Sequence, residues 1–200
     1  MNHPPSETIG AGGAGARAGS DRRLGMFLFL LSLSVLFAAS IAGYLVVRLR
    51  APEWPPAGAP SLPAGLWLAT LVLLLAGGAV HFAKTSTRAG KKTAARRALV
   101  VAFALGILFL VIQVRNWNAL GPIEKTAPSA LFGFTFYMLT GLHAAHVLGG
   151  LIALAIVAAR AYRGPSSASE PGGIESCALY WHFLDAAWIV LFAVLLIGNA

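Results

Sequence analysis

Long uncharged runs alternate with short polar ones along the 200-residue chain. Five runs reach the roughly 20 apolar residues a helix needs to cross a hydrocarbon core: about 24–47, 63–83, 97–117, 129–159 and 177–198. The pattern predicts an all-α integral membrane protein, a five-transmembrane-helix bundle spanning residues 24–200. Short connections leave no room for a second folded domain.

The polar intervals have their own character. Residues 1–21 are rich in Gly, Ala and Ser and nearly free of large apolar side chains, so the segment 1–23 reads as a disordered cytoplasmic tail. Five prolines in residues 51–63, "APEWPPAGAPSLP", end the first helix and stiffen the connection to the second. Residues 84–97, "KTSTRAGKKTAARR", read as a basic loop suited to anionic headgroups, and 164–173, "GPSSASEPGG", as a polar turn. Trp54, Trp67 and Trp117 lie near run ends, where an indole can wet its N–H and bury its ring. Arg22 and Arg23 before an apolar run raise the question of a signal peptide, but the run continues to Val47 and is long enough to stay as a span.

Composition agrees: 58% of residues are hydrophobic, 11% are charged, and the mean hydropathy is +0.74. The net charge of +8 does not point to nucleic acid, because the cations sit between apolar runs rather than on an aromatic-interleaved patch. Taking alternate sides, 11 of the 15 Lys and Arg fall with the N-terminal tail and the second and fourth loops. The positive-inside rule then predicts a cytoplasmic N-terminus and an outer C-terminus. Cys177 is the only cysteine, which excludes an intrachain disulfide and any cysteine-built zinc or iron–sulfur site.

Ionisable groups inside a membrane are costly and become functional candidates by default. Here they are His81, His143, His146, His182 and Asp185. His143/His146 and His182/Asp185 are each spaced i, i+3, which sets each pair on one helix face and resembles the pairs of dimetal bundles. Depth argues against a shared metal. At ~1.5 Å per residue, His146 and His143 lie roughly 20 and 24 Å from the cytoplasmic helix end, His182 and Asp185 roughly 8 and 12 Å. Bonds of about 2 Å cannot bridge a gap of ~10 Å. The expected role of the buried imidazoles is structural, each tying its helix to a neighbouring carbonyl or hydroxyl; His81, near the cytoplasmic face, reads as a buffering surface histidine, with proton collection as the alternative. Gly141, Ala145 and Gly149 recur every fourth residue and form a packing seam. No phosphate loop, nucleophile elbow or histidine-box series appears, and 24–47 carries no charge for a relay. The chain reads as a packing subunit, with no catalytic, cofactor or metal residue of its own.

"LGMFLFLLSLSVLFAASIAGY" (24–44), "WPPAGAPSLP" (54–63), "LGILFLVIQVRNW" (105–117), "FYMLTGLHAAHVLGG" (136–150) and "YWHFLDAAWIVLF" (180–192) together resemble, in order, the signatures of subunit III of the heme-copper oxidases. The short bacterial form with five helices is the one it is similar to. The resemblance implies a non-catalytic subunit of a cytochrome c oxidase in the bacterial plasma membrane. Heme and copper would lie in the partner subunits I and II. This chain would pack against subunit I, bind phospholipids, and sustain proton uptake and turnover stability. The motif positions are Gln113, Trp117, Gly141, His143, His146, Gly149, Gly150, Tyr180, Trp181, His182, Asp185 and Trp188. One departure is Leu33, where the family commonly carries an acidic residue. The superfamily also holds quinol oxidase subunits and a nitric oxide reductase accessory protein, which stand as alternatives. A stand-alone membrane metal enzyme or transporter built on His143 and His146 is the alternative of a different class.

Overall fold

A computed structural model describes residues 10–56, 61–120, 127–163 and 171–199. They form five helices: α1 (Gly10–Arg50), α2 (Gly65–Arg88), α3 (Lys92–Leu120), α4 (Ala127–Arg163) and α5 (Pro171–Gly198), with no strand among the described residues. Each contains a stretch apolar and long enough to cross a membrane. In hydrocarbon, helices of this kind satisfy every backbone group internally.

Packing follows a seven-residue rhythm. The buried positions of α2 include Leu66, Ala69, Leu73, Ala76, Val80 and Ala83, and those of α3 include Leu99, Ala102, Gly106, Phe109, Gln113 and Asn116. Alternating steps of three and four keep one stripe facing inward. Several members of both stripes are Ala or Gly, so the two backbones come close, as in small-residue membrane interfaces. α5 lies against α1, α2 and α4, while α3 packs on α2 and α4. α1 is the peripheral helix: 11% of its apolar span is buried, against 44% for α2 and for α5.

The helices overrun the apolar runs at most ends. α2 continues to Arg88, α3 begins at Lys92 and α4 reaches Arg163, so most of the basic segment expected as a loop, 84–97, is helical. Only Ala89–Lys91 separate α2 from α3. Gly90 adopts φ 71°, its N–H bonds the Thr87 carbonyl at 3.0 Å, and the Lys91 N–H bonds the Ser86 carbonyl at 2.9 Å. This is a Schellman stop, which satisfies carbonyls that a helix end otherwise leaves free. Hydropathy marks the lipid-immersed part of a helix, whereas charged residues extend it through the headgroups.

The N-terminal expectation also changes. The backbone is helical from Gly10 onward, so the second half of the expected disordered tail is structured; residues 1–9 lie outside the described residues. No proline stands between Gly10 and Arg23 to stop a helix already nucleated by the apolar run, although the glycines at 10, 12, 13, 15 and 19 each cost roughly 1 kcal/mol relative to alanine. Likewise, Pro171–Gly173 of the expected polar turn open α5, with proline at the start, where its missing N–H is not needed. The rest of that turn and residues 57–60 lie outside the described residues.

Candidate functional site

Most of the motif residues line the contacts of α3, α4 and α5 with one another and of α5 with α2, but the expected seam of Gly141, Ala145 and Gly149 does not close: Ala145 and Gly149 are exposed, and the close contact on α4 is at Gly150 instead. At one end Trp117 donates its indole N–H to Thr140 Oγ1 at 3.0 Å, and Tyr137 donates its hydroxyl to the Trp117 carbonyl at 2.9 Å. Both bonds join α3 to α4. Gly141 sits beside the Trp117 ring, where a Cβ would still find ordinary contact at 3.9 Å. Trp117, expected at an interfacial level, therefore holds two helices together. Trp54 is likewise packed between Tyr44 and Phe132, at ring distances of 5.8 and 5.2 Å, whereas Trp67 remains 63% exposed.

Deeper in, Tyr180 donates its hydroxyl to the His146 carbonyl at 2.9 Å, tying α5 to α4. Its ring lies on Gly150, where a Cβ would approach Tyr180 Cε1 to 3.1 Å. Gly106 of α3 is tighter still: a Cβ there would come within 2.7 Å of Leu151 Cδ2 and 2.9 Å of Trp181 Cη2. Trp188, fully buried, donates its indole N–H to Thr70 Oγ1 at 2.9 Å and so joins α5 to α2.

The histidines divide into two surroundings. His143 is wholly enclosed by Phe37, Phe109 and Trp188, at ring distances of 6.1, 5.8 and 4.9 Å, and neither ring nitrogen has a hydrogen-bond partner among the described residues. His146 bonds through Nδ1 to the carbonyl of Leu142 in its own helix at 2.7 Å and faces Phe37 at 5.1 Å. The expectation that imidazole nitrogens tie α4 to its neighbours needs correction. At this level the interhelical bonds come from Tyr and Trp, because those side chains reach past the helix surface while the imidazoles sit within it. Gln113, also fully buried, has no hydrogen bond to its amide among the described residues, and Asn116 packs against Gly65.

His182 keeps different company. Its Nε2 faces His81 Nδ1 at 3.2 Å, across from α5 to α2, and its Nδ1 lies 3.8 Å from Asp185 Oδ2. The Asp185 carboxylate rests on Gly77, where any Cβ would collide with it. Two turns nearer the helix ends, Arg88 pairs with Glu175. Arg96 donates to the Ala161 carbonyl at 2.8 Å and lies over the Tyr162 ring, fastening α3 to the last turn of α4. Among the described residues, no three His, Cys, Asp or Glu side chains are placed to share a metal.

His81, Thr70, Thr140 and Tyr137 are structural partners that the sequence reading did not assign. A hydroxyl inside an apolar run was the available signal for the two threonines, since in lipid it must find a bond.

Comparison with known proteins bears on this arrangement. The family model for cytochrome c oxidase subunit III matches residues 9–199. A cytochrome c oxidase subunit 3 from Synechocystis sp. is 34% identical over 173 residues, covering 86% of this chain and 73% of the relative. One from Thermostichus vulcanus is 32% identical over 177 residues, covering 88% and 87%. A probable cytochrome c oxidase subunit 3 from Mycobacterium leprae is 31% identical over 173 residues, covering 86% and 85%. The chain belongs to the cytochrome c oxidase subunit III family and is a multi-pass membrane subunit of an oxidoreductase complex.

Proposed function

We propose that this chain is the non-catalytic subunit III of a bacterial respiratory oxidase that passes electrons from cytochrome c to oxygen and pumps protons. It packs against subunit I, in a complex whose hemes and coppers are held by subunits I and II. It sits in the plasma membrane with its N-terminus in the cytoplasm. The observation that carries the reading is the family match along nearly the whole chain, joined to a bundle in which the motif residues Trp117, Tyr180 and Trp188 bond one helix to another.

The charge distribution supports the orientation. Arg23, Arg88, Lys92, Arg96, Arg160 and Arg163 gather at one end of the bundle, where Arg48, Arg50 and Arg115 mark the other. Phospholipid binding finds support at the same basic end. An apolar groove of about 320 Å³ opens between α1, α4 and α5, lined by Met26, Phe29, Ala153, Val157 and Tyr180. Its walls suit an acyl chain, and nearby Arg23 suits an anionic headgroup.

Deletion of the gene tests the role. Heme reduction should persist while oxygen consumption decays faster with repeated turnover and proton uptake slows; undiminished endurance would contradict the proposal.

A further inference from the structure

His81 on α2 and His182 on α5 meet nitrogen to nitrogen: Nδ1 of the first lies 3.2 Å from Nε2 of the second. They stand seven residues inside the Arg88–Glu175 pair on their respective helices, which is ~10 Å toward the membrane centre. Both are nonetheless turned outward, for His81 is exposed and the His182 side chain is 44% exposed. A small hydrated ion can reach the pair without entering the bundle.

As a hydrogen bond, this contact uses one ring N–H and one lone pair. The same spacing has a second use. Two nitrogens bound at about 2.0–2.1 Å to one tetrahedral ion stand roughly 3.3–3.4 Å apart, so α2 and α5 already hold these rings at nearly the distance of adjacent ligands. The ring planes are tilted by 52°, and the exposed His81 side chain has room to turn until the two lone pairs converge.

The surroundings of His182 fit that use. Asp185 Oδ2 lies 3.8 Å from His182 Nδ1, and the missing side chain of Gly77 makes the space for this carboxylate. A carboxylate on that side favours the tautomer with its proton on Nδ1, which leaves the outward-facing Nε2 as a lone pair. A histidine backed by a carboxylate in this way is the usual arrangement behind a metal ion. Lys84, three residues along α2, opposes a cation and Asp185 offsets it, while Arg88 is engaged by Glu175.

We propose that His81 Nδ1 and His182 Nε2 form a two-histidine site for a divalent ion of the zinc class, which clasps α2 to α5 with water in its remaining positions and Asp185 behind one ligand. Neutral imidazole suits zinc, copper or nickel, whereas magnesium and calcium take oxygen. Two protein ligands with open water positions make a reversible site rather than a closed structural one, so the fold does not depend on it. The inference needs only α2 and α5 side by side and stands apart from the oxidase reading.

The experiment uses the full chain in detergent, purified without a polyhistidine tag and carrying His3→Gln, which removes the one histidine outside the described residues. Equilibrium dialysis against zinc chloride should show one saturable zinc per chain, and zinc should raise the melting temperature where the same concentration of magnesium chloride does not. His81→Gln and His182→Gln should each abolish both effects. Asp185→Asn should weaken zinc binding about tenfold, the lower end for losing the partner of a ligating histidine. Zinc should also shield His81 and His182 from carbethoxylation by diethylpyrocarbonate, read by peptide mass spectrometry on a chain with both histidines in place. Absence of saturable zinc, zinc binding that survives both histidine substitutions, a melting shift that magnesium reproduces, or full carbethoxylation under saturating zinc overturns the site and leaves the 3.2 Å contact as a hydrogen bond. Unchanged affinity in Asp185→Asn overturns the part given to the carboxylate.

Discussion

The hydroxyl of Tyr180 on α5 bonds the backbone carbonyl of His146 on α4 at 2.9 Å. Two segments separated by 29 residues, "GLHAAHVLGG" and "YWHFLDAAW", are thereby fixed in one register. The tyrosine ring fills the space above Gly150, so a small residue on one helix and a large one on the other act as a single contact.

Removing that hydroxyl isolates its share of the tie. Tyr180→Phe keeps the ring on Gly150 and loses one interhelical hydrogen bond, for a destabilisation of about 1 kcal/mol. Thermal or denaturant unfolding in detergent measures it. Thr70→Val, which leaves the Trp188 indole unpaired, is expected to cost a similar amount.

Close approach at Gly106 is less forgiving. A methyl there meets both Leu151 and Trp181 under 3.0 Å, so Gly106→Ala should destabilise by roughly 1–3 kcal/mol, the range for overpacked cores. Gly43→Ala, where nothing lies within 4 Å, should leave unfolding unchanged, and comparing the two melting curves checks the contrast.

His143 gives the sharpest separation between packing and metal chemistry. Its ring sits among aromatic rings, and its nitrogens have no hydrogen bond among the described residues. His143→Phe should therefore fold and assemble with stability equal to or above the parent. His143→Ala should lose about 2–4 kcal/mol through the cavity it leaves. Chelator treatment of the isolated chain is expected to leave its melting curve in place. Stoichiometric bound metal that His143→Phe abolishes would refute the packing account.

Gly77 and Gly78 should behave as opposites although they are neighbours. Gly77→Ala drives a methyl into the Asp185 carboxylate and should lower the yield of folded chain. Gly78→Ala meets open space in the isolated chain and should leave that yield intact, as fluorescence-detected size-exclusion chromatography of the two variants would report.

The spans were legible because a chain surrounded by lipid has to be apolar over a fixed length, and Leu66–Ala83 or Leu99–Asn116 record that length directly. Helix ends were not, since Arg88, Lys92 and Arg163 are charged yet helical; the glycine of "TRAGKK" was the local sign of the true stop. The separation of His143 from His182 followed from depth alone. The pairing of His182 with His81 did not, because helix length and hydropathy are silent about which helices become neighbours. Tyr180, Trp188 and Trp117 were singled out by resemblance, while their partners, a carbonyl and two threonines, became visible only once α2, α3, α4 and α5 stood side by side.

The central claim is that this chain works within a larger oxidase. The most direct measurement is mild-detergent purification of the tagged chain from its own host, followed by visible spectroscopy, metal analysis and mass spectrometry of everything retained. Co-elution of heme- and copper-bearing subunits, with oxygen consumption by the purified complex, is the predicted result. A chain that elutes alone, without heme or copper partners, would contradict it.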